Sequence, residues 1–240
     1  MRDVQAGLPA EPDTLFRIYS MTKPLTSVAA MMLYEEGAFE LKDPVSRFIP
    51  AFADSRVLRR GSSLKPVTEP LVEPMPIWHL FTHTSGLTYW FHRAHVVDAL
   101  TGRRGSSLRC RRGADLAGCC ELRACLPLLF QPGGQSNYGV STDVLGRVVE
   151  VVTGQPLDQV FAECIFAPLG MADTSWSVEP AGAQRLAALC APNPQTGQAL
   201  RFDSIGTLAL SPPECLSGGG GLISTAADYH PVHRAVASRR

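Results

Sequence analysis

A serine and a lysine three positions apart could supply a nucleophile and its base. Ser20 and Lys23 enclose Met21 and Thr22 at the start of a predicted helix. Residues three apart in a helix share one face, so both side chains could serve the same reaction. A serine hydroxyl becomes nucleophilic when a base lies within hydrogen-bond distance, and a desolvated lysine can be that base. The alternative is a helix-capping serine followed by a surface lysine, because a pattern with two fixed positions often arises by chance.

The element that must position this pair is an amphipathic helix predicted over residues 20–36. Pro24 falls in its first turn, where the missing N–H costs nothing, and Gly37 is a natural C-terminal stop. The positive end of the helix dipole favours negative charge developing near Ser20. The apolar positions recur every three or four residues, at Leu25, Val28, Ala29, Met32 and Leu33.

Composition and charge indicate a globular protein and no charged macromolecular partner. Of 240 residues, 45% are hydrophobic and 18% are charged, which is enough for one large domain or two small ones. The 22 basic and 22 acidic residues cancel, so nothing in the net charge points to nucleic acid or a membrane surface. We find neither a transmembrane run nor a signal peptide, and we therefore expect a cytoplasmic protein with reduced thiols.

Two other groups of residues raise the question of metal binding. His79 and His83 have the i, i+4 spacing of metal ligands, but Leu80 stands where a zinc protease has its general base, so we interpret both as structural. Residues 102–125 are rich in arginine and cysteine, with cysteine spacings unlike those of paired zinc ligands. A nucleic-acid patch is the alternative there, although aromatic residues are lacking. We predict an exposed, weakly packed, insertion-like segment without a metal or a disulfide framework.

The remaining chain alternates loops and helices. Residues 54–76 are predicted to form a surface loop with a strand near Val67–Val72, and residues 77–86 a short buried helix ending at Gly86. Helices are expected up to Gly154 and over residues 157–166, followed by loops with short strands over residues 171–216. The glycine run at 218–221 lacks the Gly-Lys-Ser/Thr sequence of a phosphate-binding loop. The first of these helices is predicted to bury Val144, Leu145, Val148, Val149 and Val152.

Several separated stretches together resemble the serine β-lactamase-related family, which spans class C β-lactamases, D,D-peptidases and family VIII-type carboxylesterases. Any one stretch is weak, but their order and spacing across roughly residues 13–229 are specific. The stretches are Ser20-Met21-Thr22-Lys23-Pro24, Asp43-Pro44-Val45-Ser46, Leu80-Phe81-Thr82-His83-Thr84-Ser85-Gly86-Leu87, Phe130-Gln131-Pro132-Gly133 with Asn137-Tyr138, Ile165-Phe166-Ala167-Pro168-Leu169-Gly170-Met171-Ala172-Asp173-Thr174, and Gly218-Gly219-Gly220-Gly221-Leu222-Ile223-Ser224-Thr225.

The resemblance implies a catalytic role for three residues. Ser20 matches the acylated nucleophile, Lys23 its activating base, and Tyr138 the second-motif tyrosine that shares proton transfer with the lysine. It also implies an α/β (α+β) β-lactamase/transpeptidase-like fold over residues 1–229, with residues 230–240 as an unstructured tail. The helical part of that fold is largely present, and much of its central antiparallel sheet is missing, so we expect a chain truncated at both ends.

The chain departs from the family pattern at two motifs. Val140 replaces the asparagine of the usual Tyr-x-Asn motif after Tyr138, which looks closer to the esterase branch. No Lys-Thr-Gly, His-x-Gly or Trp-Gly-Gly motif follows the glycine-rich loop, and that strand normally supplies an oxyanion-hole N–H.

The resemblance leads to a functional expectation with one alternative. We expect a serine hydrolase, most like an esterase, that acts on a small-molecule ester or amide through an acyl-enzyme. No cofactor, metal, nucleic acid or membrane partner is implied, and the oligomeric state stays open. The alternative is a catalytically inactive truncated relative, either a pseudoenzyme or a binding fragment.

Overall fold

The computed structural model describes residues 1–103 and 113–237, which form a mainly helical protein with short strands. The helices are α1 (Thr22–Glu35), α2 (Trp78–Phe81), α3 (Val96–Arg103), α4 (Leu116–Ala124), α5 (Ser141–Thr153), α6 (Leu157–Phe161), α7 (Ala167–Leu169), α8 (Asp203–Gly206) and α9 (Ala226–Ala237). The strands are β1 (Phe16–Arg17), β2 (Arg56–Gly61), β3 (Pro66–Pro70), β4 (Cys190–Pro192), β5 (Ala199–Arg201) and β6 (Ile223–Ser224). None of the helices in the described ranges is long and apolar enough to cross a membrane.

Helix α1 ends at the glycine that the sequence indicates. Gly37 adopts a φ of 75°, and its N–H donates to the Tyr34 carbonyl at 3.0 Å. The next N–H, of Ala38, donates to the Leu33 carbonyl at 3.0 Å. This pair of bonds is a Schellman motif, in which a glycine takes the left-handed conformation at no steric cost. At the other end, the predicted start at residue 20 is replaced by a 3-10 turn over Tyr19–Met21.

The strands pair as three antiparallel two-stranded ribbons, β1 with β6, β2 with β3, and β4 with β5. In the shortest ribbon Phe16 lies opposite Ser224 and Arg17 opposite Ile223. Strands β2 and β3 form a hairpin with a bulge at Leu58 and Arg60. The predicted loop over residues 54–76 is therefore wrong in part, although the strand expected near Val67–Val72 lies within two residues of β3.

The chain divides into two compact units. The first unit comprises Met1–Thr22, Phe161–Pro213 and Gly220–Arg240. Its core contains Leu15, Val178, Ala209 and Ile223, with Leu186 packed against them. A second group consists of the aromatic rings of Phe161, Phe166 and Trp176, whose centroids lie 5.1–6.4 Å apart. Arg17 of β1 crosses this unit and donates hydrogen bonds to the carbonyls of Ala187 and Gly206.

The second unit comprises Lys23–Val160 and Glu214–Gly219, and α5 forms its centre. Helices α2 and α4 both pack against α5. Four of the five side chains predicted to face the core are fully buried, namely Val144, Leu145, Val148 and Val149, whereas Val152 is half-buried. Gly154 ends α5 in the left-handed conformation, at a φ of 69°, as its position in the sequence predicts.

The arginine- and cysteine-rich stretch is better packed than its composition suggests. Residues 104–112 lie outside the described residues, but residues 116–124 form α4, whose N-cap Asp115 accepts a hydrogen bond from the Gly118 N–H at 2.9 Å. Leu116, Cys119 and Cys120 are at most 2% exposed. The prediction of an exposed, weakly packed segment is therefore wrong over α4, because its buried side chains include Leu116 and Cys120, which lie against Gly146 and Asp143 of α5.

Two further expectations are corrected by the described residues. Cys119 is disulfide-bonded, so the expectation of reduced thiols without a disulfide is wrong at this position. Helix α9 continues to Ala237, so the expectation of an unstructured tail from residue 230 is wrong over most of that segment. The buried Val232 side chain, 4% exposed, contributes to holding α9 in place.

We expect the stability of the second unit to depend on the buried face of α5. Replacing Leu145 with alanine should lower the free energy of unfolding by about 2–5 kcal/mol, because a fully buried leucine loses its transfer energy and leaves a cavity. Replacing Val151, which is 37% exposed on the same helix, with alanine should change the free energy of unfolding by less than about 0.5 kcal/mol. Urea unfolding of both variants measures the difference, and equal losses would contradict this account of the core.

Candidate active site

Ser20 lies in the first unit, in the middle of the 3-10 turn that runs directly into α1. Its residue is exposed to solvent. The turn is closed by the Met21 N–H, which donates to the Ile18 carbonyl at 2.9 Å. From α9, the Tyr229 hydroxyl donates to the Met21 carbonyl at 2.8 Å. The predicted nucleophile therefore occupies a surface turn that hydrogen bonds hold from both sides.

The residue before the serine has an unusual backbone conformation. Tyr19 adopts a φ of 43°, a left-handed conformation that costs a non-glycine residue about 1–3 kcal/mol. Next to it, the Ile18 N–H donates to the Leu222 carbonyl at 3.0 Å. On the other side, the Leu222 N–H donates to Thr22 Oγ1 at 3.1 Å. The strained residue thus lies between two anchored neighbours, and this pattern is common at functional sites.

Lys23 lies in the second unit and is 8% exposed. Its Nζ donates to the Gly219 carbonyl at 2.5 Å and to the Tyr89 hydroxyl at 3.2 Å. The same Nζ lies 4.7 Å from the centroid of the Tyr138 ring, within the range of a cation–π contact. The structure therefore brings together two of the predicted residues, Lys23 and Tyr138, and adds Tyr89, which the sequence reasoning did not identify.

Tyr138 is half-exposed and is held by its backbone and by stacking. Its carbonyl accepts a hydrogen bond from His92 Nε2 at 2.8 Å, and its ring centroid lies 4.8 Å from that of His83. The following residue must be glycine, because a Cβ at Gly139 would lie 2.3 Å from the Leu87 carbonyl oxygen. This close approach of two backbone segments places Tyr138 above Lys23.

Tyr89 remains a neutral phenol at physiological pH. Burial is the main cause, followed by the negative charge of Asp143, and together they raise the pKa of Tyr89 well above its usual value of 10.0. Its ring stacks on Phe91 at a centroid distance of 4.7 Å and an interplanar angle of 17°. Tyr89 can thus act as a hydrogen-bond partner for Lys23, but a phenolate at this position would be strongly disfavoured.

Two histidines of α2 and its C-terminal turn have structural hydrogen bonds, as the sequence analysis expects of them. His79 Nδ1 pairs with Thr84 Oγ1 at 2.5 Å, and His83 Nδ1 accepts a bond from the Gly139 N–H at 3.3 Å. Burial lowers the pKa of both rings from 6.5, and the neighbouring charge of Lys23 lowers that of His83 further. His83 has a φ of 57°, so α2 ends at Phe81, earlier than the predicted Gly86.

Sequence reasoning missed Tyr89 and Gly219 for different reasons. Tyr89 follows the family-like stretch Leu80–Leu87 by two residues, so its proximity to that stretch was a usable signal. Gly219 contributes a carbonyl oxygen, and no side chain marks a backbone acceptor in a sequence. The glycine run by itself indicates only a phosphate-binding loop, in which the backbone N–H groups bind the ligand.

Comparison with known proteins gives a consistent set of relatives. The family model described as Beta-lactamase matches residues 1–238. Protein Rv1367c of Mycobacterium tuberculosis (strain ATCC 25618 / H37Rv) is 39% identical over 228 residues, which cover 95% of this chain and 55% of that protein. Esterase EstB of Burkholderia gladioli is 41% identical over 183 residues, covering 75% of this chain and 43% of the esterase.

A solved structure extends the likeness to the fold. The LovD6 mutant of simvastatin synthase from Aspergillus terreus superposes with a TM-score of 0.82 at 30% identity, covering 100% of this chain and 55% of that chain. The β-lactamase/transpeptidase-like fold expected from the sequence is thereby confirmed. The chain spans about half the length of the curated relatives that it matches.

The depressed histidine pKa values predict a pH-dependent stability. The histidine pKa is below 6.5 in the folded chain and 6.5 in the unfolded chain. Between these two pKa values the unfolded chain binds more protons than the folded chain. The contribution of these two histidines to the free energy of unfolding should therefore be fully present above pH 6.5 and should be lost as the pH drops below it. We expect His83→Gln to reduce this loss between about pH 7.5 and about pH 5 in urea unfolding. The exposed His95→Gln is the control, and an equal reduction in both variants would argue against buried His83 as the cause.

Proposed function

Since the chain belongs to the beta-lactamase family, we propose that it is a serine hydrolase that forms an acyl-enzyme on Ser20. The observation that carries the proposal is the environment of Lys23, which follows Ser20 by three residues. Its amino group is buried, hydrogen-bonded to Tyr89 and placed 4.7 Å from the centroid of the Tyr138 ring. A lysine held away from water between two phenols is suited to moving a proton.

The proposed reaction proceeds in two steps that return the enzyme to its starting state. With Lys23 in its neutral amine form, Ser20 Oγ attacks the carbonyl carbon of an ester, and the Ser20 proton passes to Lys23 Nζ. Tyr138 then delivers a proton to the departing alcohol oxygen as the C–O bond breaks, and Lys23 restores the proton of Tyr138. In the second step water attacks the acyl-serine, loses a proton along the same path, and releases the acid and free Ser20.

We assign different roles to the two tyrosines from their environments. Tyr89 is buried and its pKa is raised well above 10.0, so it keeps its proton and orients the lysine. Tyr138 is 43% exposed, so the leaving group of a bound substrate can reach it. The geometry of Tyr138 relative to Ser20 Oγ stays a prediction.

An ester is favoured over a β-lactam or a peptide as the substrate class. The residue two positions after Tyr138 is Val140, which has no side-chain amide to donate to a lactam or peptide carbonyl. Asn137, on the other side, donates its Nδ2 to the Leu87 carbonyl at 3.0 Å and is thereby engaged in the fold. The relation to an esterase at 41% identity also supports ester chemistry.

The alternative function is that of a catalytically inactive relative. The two functions differ in whether Ser20 can be acylated at all, and this difference is measurable.

We expect the 240-residue chain to hydrolyse p-nitrophenyl butyrate at a measurable rate that depends on Ser20. After incubation with the ester or with a fluorophosphonate probe, intact-mass analysis should show one covalent adduct, on Ser20. Both the adduct and the turnover should disappear in Ser20→Ala. Ser204→Ala, an exposed serine of α8, is the control and should match the wild type. Turnover that survives Ser20→Ala would favour the inactive relative.

The two tyrosines should differ in their effect on rate. Tyr138→Phe removes the proposed proton donor and should lower kcat by about 100-fold or more, since general acid–base catalysis contributes about 10²–10⁴. Tyr89→Phe removes one hydrogen bond to Lys23 and should cost about tenfold or less, in line with about 0.5–1.5 kcal/mol for such a bond. Steady-state kinetics on the same ester measures both, and the reverse order would exchange the assigned roles.

A further inference from the structure

A buried carboxylate on α5 has no place in the proposed reaction. Asp143 is 2% exposed, and an ionised carboxylate at that depth must be paired or hydrogen-bonded. Its Oδ1 accepts a hydrogen bond from Ser217 Oγ at 2.6 Å and from the Gly219 N–H at 3.3 Å. Both donors belong to the short glycine-rich segment Glu214–Gly219, which the second unit takes from a distant part of the chain.

A buried cation lies near this carboxylate. Burial opposes the charge of Arg123 most strongly, but Asp143 and other nearby groups outweigh it and raise the pKa of Arg123 above its usual value. Arg123 Nε and Nη1 are buried and have no hydrogen-bond partner among the described residues. The negative charge of Asp143 therefore compensates Arg123, while its Oδ1 holds the glycine-rich segment.

Gly219 connects Asp143 to the lysine. Its N–H points to Asp143 Oδ1, and its carbonyl accepts the 2.5 Å hydrogen bond from Lys23 Nζ. The segment has little freedom to shift, because a Cβ at Gly219 would lie 2.7 Å from Asp143 Oδ2 and 3.2 Å from the Tyr89 hydroxyl. Thr26 of α1 also donates to the neighbouring Gly218 carbonyl at 2.7 Å, which fixes the segment at a second point.

We propose that Asp143 is a positioning residue, which holds Ser217 and Gly219 so that the Gly219 carbonyl orients Lys23 for proton transfer. The proposal rests on the proposed function, since it assigns the purpose of orienting Lys23 to that reaction. Asp143 acts through the backbone of Gly219 and does not need to touch the substrate. Misplacement of a reacting group by about 1 Å can cost on the order of 100-fold in rate, so a small shift of this carbonyl has a large effect.

The kinetic test compares two substitutions of similar size. Asp143→Asn keeps an oxygen that can accept from Ser217 and Gly219, whereas Asp143→Leu fills the same space and accepts nothing. At a temperature where circular dichroism shows both variants folded, Asp143→Leu should lower kcat for p-nitrophenyl butyrate about tenfold or more with KM within about twofold. Asp143→Asn should retain about a third or more of kcat, because the hydrogen-bond acceptor matters here more than the charge.

A second carboxylate on the same helix provides the matched control. Glu150 accepts from the Leu157 N–H at 3.1 Å and from Arg147 at 2.9 Å, away from the glycine-rich segment. Its side chain is 10% exposed. Glu150→Gln should lose stability without changing kcat. A loss of kcat equal to that of Asp143→Leu would show a general effect of α5 and would overturn the proposal.

A chemical readout on Lys23 does not depend on catalysis. The chain contains three lysines, and Lys42 and Lys65 are exposed while Lys23 is buried. Reductive dimethylation followed by peptide mass spectrometry gives the rate at Lys23 relative to the other two. We expect Lys23 to react about tenfold or more slowly than Lys42 in the wild type, since its amine is hydrogen-bonded and shielded. Asp143→Leu should raise the relative rate at Lys23 about fivefold or more, and Asp143→Asn should leave it near the wild-type value.

A second variant perturbs the same contact from the opposite side. Gly219→Ala places a methyl group against Asp143 Oδ2 and should expose Lys23 to the reagent as Asp143→Leu does. Gly220→Ala is its control, since a Cβ there has its nearest neighbour at 3.6 Å, an ordinary contact. If Asp143→Leu does not fold, Gly219→Ala alone decides the question.

The outcomes separate this proposal from the proposed function. Equal ester turnover by the wild type and Ser20→Ala would reject the nucleophile, while slower Lys23 labelling in the wild type than in Asp143→Leu would still support the role of Asp143 in holding Lys23. Unchanged Lys23 labelling in folded Asp143→Leu and in Gly219→Ala would overturn the positioning role, whatever the turnover of the wild type.

Discussion

The hydrogen bond from Lys23 Nζ to the Gly219 carbonyl is the contact on which the candidate site depends. The amino group of Lys23, a residue that is 8% exposed, is costly to bury without partners, and the penalty falls only when hydrogen-bonding groups surround it. The second unit meets this requirement from three separate parts of the chain, with a carbonyl from the glycine-rich segment, the Tyr89 hydroxyl and the face of the Tyr138 ring. These three parts of the chain thus meet around one buried amino group.

Elements with strong local signals were predictable from the sequence. The apolar face of α5 and the stops at Gly37 and Gly154 follow from periodicity and from glycine's tolerance of positive φ. The pairing of Lys23 with Tyr138 also followed, although they are far apart in the chain, because the resemblance linked two motifs. Such features are encoded in residue types at fixed spacing.

Features that depend on tertiary contacts were not predictable in the same way. Helix α4 looked like a compositional anomaly, yet Leu116, Cys119 and Cys120 are buried in it, because packing against α5 overrides its unusual composition. The Gly219 carbonyl carries no side-chain signal. Asp143 reads as one more polar residue at a helix start, and its role depends on Ser217 and Gly219, which lie more than 70 positions later.

Tyr19 has a consequence for how this sequence can vary. Its φ of 43° is a left-handed conformation that glycine or asparagine adopts at a lower energetic cost than tyrosine. Random drift under selection for folding alone should therefore replace it, with a gain of about 1 kcal/mol. A lineage that keeps a bulky residue beside Ser20 is therefore expected to be under selection for chemistry, whereas one selected only for stability should lose it.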